Sequence, residues 1–242
     1  MSKKKISKIT ILIPVYNEEA TISKCLDNVI NSDTLGIPKE IIISDNNSTD
    51  GTKKILQNLE YDNVKILYKD KNEGKGSNIK NALSSATGDI VIFQDADLEY
   101  SPKDYKDLLL PFLEINADVV FGSRLTGAKL TKVIGFPNFI ANKIITLLIN
   151  ILFNRIFSDI ETGLKAFKIE VLKNLNLVSN GFEIEVEITT KISANKNLEI
   201  FETPITINSR RYSEGKKVKI SDFFKAIYNI IKWRFILINQ KF

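Results

Sequence analysis

The 242-residue sequence predicts an α/β fold in which a mostly parallel sheet is flanked by helices. Two observations carry this expectation. Through the first half, short β-branched apolar runs alternate with segments of helical period. Each apolar run also ends in a cluster of Asn, Asp, Ser or Gly, residues that turn a chain.

Strands are expected at Ile9–Val15, Glu40–Ser44, Val64–Tyr68, Ile90–Gln94 and Asp118–Gly122. Helices fit Glu19–Asn31, Thr52–Leu59, Lys75–Ala86 and Pro102–Ile115 between and after them. The polar clusters are Pro14 to Glu18, Asp45 to Gly51, Asn72 to Gly76, Asp95 to Asp97 and Gly122 to Arg124. In a parallel sheet these fall on one rim, where ligands bind beyond the C-terminal strand ends. Each cluster alone reads as an ordinary turn; together they predict a binding crevice.

Composition removes several chemistries. Histidine is absent, which excludes imidazole acid/base catalysis, His-ligated zinc and Ser-His-Asp triads. The single cysteine, Cys25, rules out an internal disulfide framework and sits among Ile22, Leu26 and Val29 as a core residue. A net charge of +5 suits an anionic partner without selecting one. The dinucleotide and P-loop glycine patterns are missing, and no basic stripe interleaved with aromatics points to nucleic acid. Catalysis is left to carboxylates, Lys, Arg, backbone amides or a metal.

The focus is Asp95-Ala96-Asp97, at the end of the apolar run Ile90 to Gln94. Residues two apart on a strand point the same way, so two carboxylates stand side by side. They form either a solvated turn or an oxygen-rich site for a divalent cation.

Taken in order, Ile13 to Glu18, Asp45 to Thr52, Asn72 to Gly76 and Asp95 to Asp97 resemble the motifs of family 2 glycosyltransferases with the GT-A fold. Gly122-Ser123-Arg124, Ser158 to Gly163, Gly181 to Glu185, Glu202 to Ile205 and Arg210 to Lys217 resemble the dolichol-phosphate mannosyltransferase-like subfamily. The resemblance implies one GT-A domain, Rossmann-like and mostly parallel. Its parts are a nucleotide-sugar half over 1–125, an acceptor-side half over 126–218 and an amphipathic helix over 219–242.

By resemblance, Pro14, Tyr16, Glu18 and Asp45 line the nucleotide pocket, and Lys75, Ala96 and Glu185 join the substrate-binding residues. Asp95, Asp97 and Glu99 are the implied ligands of Mg2+ or Mn2+, with Glu99 where relatives tend to carry Gln. Arg124, Arg210 and Lys216 are implied contacts of the diphosphate or of an acceptor phosphate, and Asp97, Arg124, Asp159 and Arg210 are the catalytic set. The implied reaction moves a hexose from a GDP- or UDP-sugar to a polyprenyl phosphate. A same-fold enzyme acting on a saccharide hydroxyl, with Asp159 or Glu185 as its base, and a non-catalytic sugar-nucleotide-binding protein are the alternatives.

Two segments bear on a membrane. From Asn138 to Asn154 polar residues recur every fourth position, leaving a wide apolar face, and Ile220 to Ile238 carries an apolar stripe with Lys225, Lys232, Trp233 and Arg234 around it. The charge-free stretch Ile144 to Asn154 is short of the roughly 20 residues that cross a bilayer. No signal-peptide core follows the basic N-terminus. The expectation is a cytoplasmic protein, peripheral on the membrane's cytoplasmic face through these helices.

Overall fold

The computed structural model describes residues 5–127, 132, 135–209 and 220–238. It contains strands β1 (Ile9–Val15), β2 (Lys39–Asp45), β3 (Val64–Tyr68), β4 (Ile90–Phe93), β5 (Val119–Ser123), β6 (Lys165–Lys168) and β7 (Ile200–Pro204). The helices are α1 (Ile22–Ile30), α2 (Thr52–Gln57), α3 (Lys75–Ser84), α4 (Tyr105–Glu114), α5 (Phe136–Phe153), α6 (Ile169–Asn174), α7 (Ile184–Ala194) and α8 (Ile220–Ile238). The seven strands form one sheet in the order β3-β2-β1-β4-β6-β5-β7. Only β6 runs against its neighbours; the other described pairings are parallel.

Strand periodicity explains the layers. Ile9, Ile11, Ile13 and Val15 pack with Cys25 and Leu26 of α1 and with Leu108, Leu109 and Phe112 of α4. Leu12, Ile42, Phe93, Phe121 and Phe167 pack on the other side with α3, α5, α7 and α8. This is a three-layer helix-sheet-helix sandwich. Cys25 is a buried core residue, as expected; burial above all, with Asp97, Asp95 and Glu18 adding to it, pushes its thiol up to about 12.

From β1 the chain steps outward through β2 to β3, then returns to place β4 on the opposite side of β1. That reversal leaves a crevice beyond the C-terminal ends of β1 and β4, the place where doubly wound sheets take ligands. Pro14 to Glu18 and Asp95 to Asp97 stand on its two sides.

Helix α5 starts earlier than its sequence pattern suggests, and its 18 residues have a mean hydropathy of 1.5, enough by length and composition for a membrane span. Its buried face is mixed, with Asn142 and Thr146 packed inward beside Ile145, Ile149 and Phe153. Asn142 and Thr146 are buried, whereas Phe136, Ile140, Ile144, Leu147 and Ile151 are exposed. The polar stripe faces the protein because it has partners there: Asn142 Nδ2 donates to Asp159 Oδ1 at 2.7 Å, and Asn150 brackets Phe157 through both its backbone N–H and C=O. Helix α8 packs Ala226, Ile230, Trp233 and Leu237 inward and leaves Phe224, Tyr228, Ile231 and Phe235 outside. Trp233 is therefore not at the surface, as expected of an interfacial anchor. It lies under the Lys191 ammonium, 4.5 Å from the ring centroid.

Candidate functional site

The loop after β4 is held from beneath. Gln94 is buried, accepts from the Tyr105 hydroxyl at 2.8 Å, and donates to the carbonyls of Asp95 (2.9 Å) and Tyr100 (3.3 Å). Leu98 adopts a left-handed φ of 63°, which turns the chain, and Asp97 Oδ1 accepts from the Glu99 N–H at 3.0 Å. The Glu99 carbonyl then accepts from Asn208, and Tyr100 bridges Ile207, so the segment up to Ser209 runs along this loop. Neither Gln94 nor Tyr105 was singled out in the sequence, where each reads as ordinary strand or helix material.

Asp95 does not stand alone with Asp97. Its Oδ1 is 2.8 Å from Lys75 Nζ, which also lies 3.2 Å from Glu185 Oε1; Glu185 Oε2 is 2.6 Å from Lys165 Nζ. The four side chains make an alternating string of acid and base. Lys165 is fully buried, donates to the Thr162 carbonyl and sits 5.3 Å from the Phe121 ring centroid. Burial alone lowers the Lys75 pKa, but Asp95 and Glu185 more than offset it and hold the ammonium above its ordinary value. Burial pushes the Asp95 carboxyl up, Lys75 opposes that, and the Asp97 charge adds to it. Burial likewise raises Glu185, but Lys165 and then Lys75 bring it below the usual carboxylate value.

The expected trio of Asp95, Asp97 and Glu99 is not gathered as one ligand set. Among the described residues no three His, Cys, Asp or Glu side chains stand together to hold a metal. The reason is local: Asp95 turns to Lys75, and the left-handed residue Leu98 separates Asp97 from Glu99.

Lys75 is aimed by the glycines around it. Gly74 has a φ of +96°, and a Cβ there meets the Asn180 carbonyl oxygen at 2.5 Å. A Cβ on Gly76 meets the Ser179 carbonyl oxygen at 2.6 Å. The backbone of 179–181 packs on this turn and accepts from the Gly76 and Ser77 N–H groups. Lys75 is thus locked at the first turn of α3, facing Asp95.

Arg124 forms the second cationic element. Its Nε and Nη2 donate to the two Asp159 oxygens at 2.6 and 2.7 Å, and its backbone N–H adds a third bond. Asp159 is fully buried, and Asn142 completes its shell. Burial raises the Asp159 carboxyl, yet Arg124 and Asn142 hold it below its ordinary value. Glu202 receives the Ser158 and Asp159 N–H groups and fixes the turn that presents the pair. Asp159 and Glu185, the two carboxylates expected as candidate bases, are both ion-paired, Asp159 with Arg124 and Glu185 with Lys75 and Lys165. Both carboxylates are already bound to cations inside the protein, and Asp159 positions Arg124.

On the other side of the crevice, Glu18 accepts from the Thr21 hydroxyl at 2.9 Å, and its N–H is held by Thr52. Pro14 and Tyr16 are half-buried and Ala96 is buried beside them along the rim. Asp45 is buried and accepts from the Ser48 N–H and hydroxyl, so it shapes the 46–48 turn more than it faces the open crevice. Arg210 and Lys216 lie outside the described residues.

Comparison with known proteins accords with this geometry. The model of glycosyl transferase family 2 matches residues 10–175. The chain is 29% identical over 234 residues to a dolichol-phosphate mannosyltransferase of Pyrococcus furiosus, covering 93% of this chain and 64% of that one. It is 27% identical over 241 residues to a UDP-N-acetylglucosamine–dolichyl-phosphate N-acetylglucosaminyltransferase of Methanococcus voltae, covering 92% and 94%. It spans only 53% of a Haloferax volcanii low-salt glycan biosynthesis hexosyltransferase, at 27% identity. Thus the chain covers less than two thirds of two of these relatives. Among solved structures, glucosyl-3-phosphoglycerate synthase of Mycobacterium tuberculosis with phosphoglyceric acid superposes with a TM-score of 0.72 at 19% identity, covering 94% of this chain and 80% of that one. The same enzyme has been solved with Mn2+ and uridine diphosphate (TM-score 0.70). At these identities the structural likeness speaks for the fold, which is GT-A. The chain belongs to glycosyl transferase family 2.

Proposed function

We propose that this protein is an inverting, metal-dependent glycosyltransferase that moves a hexose from a GDP- or UDP-sugar to a polyprenyl phosphate at the cytoplasmic face of a membrane. The observation that carries the reading is helix α5, which buries Asn142 and Thr146 while exposing an apolar stripe. Its polar stripe reaches Asp159 and so the Arg124 side of the site, while its apolar stripe faces outward beside that of α8. A site built against an exposed apolar face suits an acceptor whose phosphate is polar and whose tail is lipid. The dolichyl-phosphate enzymes among its relatives agree with that choice.

The residues fit a hard divalent cation. The donor set is oxygen only, Asp97 lies close enough to raise the Asp95 carboxyl, and a cation of this kind completes its shell from substrate phosphates. When bound, it supplies Lewis-acid stabilisation of the departing diphosphate. Asp95 and Asp97 would hold it. Transfer breaks the bond from the anomeric carbon to the diphosphate oxygen and forms one to the acceptor oxygen. The negative charge that builds on the leaving group is met by Lys75 and by Arg124, whose guanidinium Asp159 holds in place. An ionised phosphate acceptor has no proton to give up. That matches a site in which both carboxylates expected as bases are engaged with cations, and it disfavours a saccharide hydroxyl.

The test is incubation with radiolabelled GDP- and UDP-sugars and a polyprenyl phosphate. Label is expected in the organic phase and absent from the Asp97→Ala variant. Label in soluble saccharides alone rejects the lipid acceptor. Donor binding without any transfer or hydrolysis marks a binding protein.

A further inference from the structure

A second site lies at the far end of α5 and α7, away from Asp95. Helix α7 carries Glu185 at its start, within the candidate site, and ends nine residues later at Ala194. There a groove of about 460 Å3 opens between the ends of α5, α7 and α8, lined by Leu152, Phe153, Lys196, Arg234 and Leu237 among others. Arg155 stands beside it. Its Nε and Nη2 donate to the Ser193 and Asn195 carbonyls at the end of α7, while Lys196 Nζ donates to the Phe153 and Asn154 carbonyls at the end of α5. Arg234 lies over the Phe153 ring, with its guanidinium carbon 5.5 Å from the ring centroid.

Three cations thus meet with no carboxylate partner among the described residues. Two helix C-termini offset them by only about half a charge each, which leaves an excess of roughly two positive charges. Burial first, then the charges of Arg155 and Arg234, lowers the Lys196 pKa. Residues within two positions of the groove-lining ones in sequence make an apolar rim: Ile156 is 97% exposed, and Ile151 and Phe235, next to Leu152 and Arg234, are exposed on α5 and α8. A soluble anion has no use for such a rim, whereas an anionic lipid has a use for both features.

We infer that Arg155, Lys196 and Arg234 form a binding site for the phosphate headgroup of an anionic phospholipid, which fixes the far end of the α5/α8 face on the bilayer. The inference rests on the membrane reading above and adds to it a specific headgroup site, distinct from any acceptor site near Arg124.

The experiment is vesicle co-sedimentation of the full chain with phosphatidylcholine, alone or mixed with phosphatidylglycerol. Wild type is expected to prefer the mixed vesicles. Arg234→Gln, which removes no hydrogen bond among the described residues, should weaken that binding about five-fold, and Arg234→Gln with Lys196→Gln roughly thirty-fold, while binding to pure phosphatidylcholine stays unchanged. Lys54→Gln, an exposed lysine on α2, should have no effect and serves as the control for general charge. If Lys196→Gln merely lowers the melting temperature while Arg234→Gln binds like wild type, these residues only cap helices, and the headgroup site is overturned although the apolar face stands. Displacement of the protein from mixed vesicles by millimolar glycerol phosphate makes the ligand a soluble phosphate and overturns the lipid assignment. No binding of wild type to either vesicle overturns both readings.

Discussion

Lys75 Nζ lies 2.8 Å from Asp95 Oδ1, so the first carboxylate of the Asp95-Ala96-Asp97 turn is paired within the protein itself. Lys75 shares its charge with Glu185, and Glu185 in turn is held by the fully buried Lys165. The site is therefore a neutralised string and not a pair of bare acids. Any cation or diphosphate that enters must rearrange it.

Lys165 and Glu185 should behave as a unit in stability. Removing one member of a buried ion pair strands the other, at a cost of about 3–5 kcal/mol. Lys165→Met is expected to lower the urea-unfolding free energy by that order. The double variant Lys165→Met, Glu185→Leu should lose clearly less than the sum of the two single variants. Additive losses would show that the pair is not coupled.

Gly163 sets the room available to Asp95. A Cβ at this position runs into Asp95 Oδ2 and approaches Tyr100 at 2.9 Å. Gly163→Ala must push the carboxylate off its place near Lys75, with a smaller shift of the buried Tyr100 ring. The expected result is donor affinity lowered by tenfold or more, with the thermal midpoint moved by only a few degrees. Calorimetric titration with the nucleoside diphosphate measures the first, and a melting curve the second.

Competition between Lys75 and a metal gives a third outcome. Lys75→Met removes the cation that pairs with Asp95 among the described residues, so Mn2+ should bind more tightly in the absence of nucleotide. Roughly tenfold is expected, equivalent to about 1.4 kcal/mol. Electron paramagnetic resonance of free Mn2+ reads this directly, with no turnover required. Equal affinities in the two proteins would mean that Lys75 does not compete with a cation for Asp95.

Much of this arrangement was legible in the sequence, and the parts that were not share a cause. Strands β1 to β5 lie within one residue of their expected ends because each is a compact apolar run bounded by turn residues. Strand β6 escaped because its pairing is long-range: Lys165–Lys168 inserts antiparallel between β4 and β5. Lys165 looks like a surface residue until Glu185, twenty positions later, is brought against it. Helix α5 shows the limit of periodicity. The repeat of Asn142, Thr146 and Asn150 gives a polar stripe but not its direction, and here buried partners at Phe157 and Asp159 draw that stripe inward. Trp233 on α8 went the same way, into the core beneath Lys191.

Arg124 and Asp159 predict how the protein responds to acid. The folded pKa of Asp159 is below its unfolded value, so its contribution is present above about pH 4 and is lost as pH falls through the folded value. Glu185 and Glu187 are also depressed and act in the same direction. Glu202 is opposite: burial raises it, so its contribution is present below its unfolded value and lost as pH rises through the folded one. Stability should therefore change little between neutrality and about pH 5, then fall steeply below pH 4. Asp159→Asn keeps the shape but loses the charge that holds Arg124. It should be less stable at pH 7 by about 3 kcal/mol, with a shallower loss between pH 4 and pH 2. Urea midpoints across pH measure both. An acid limb of unchanged depth in Asp159→Asn would assign the transition to other carboxylates and leave Arg124 without the anchor that the 2.6 and 2.7 Å bonds describe.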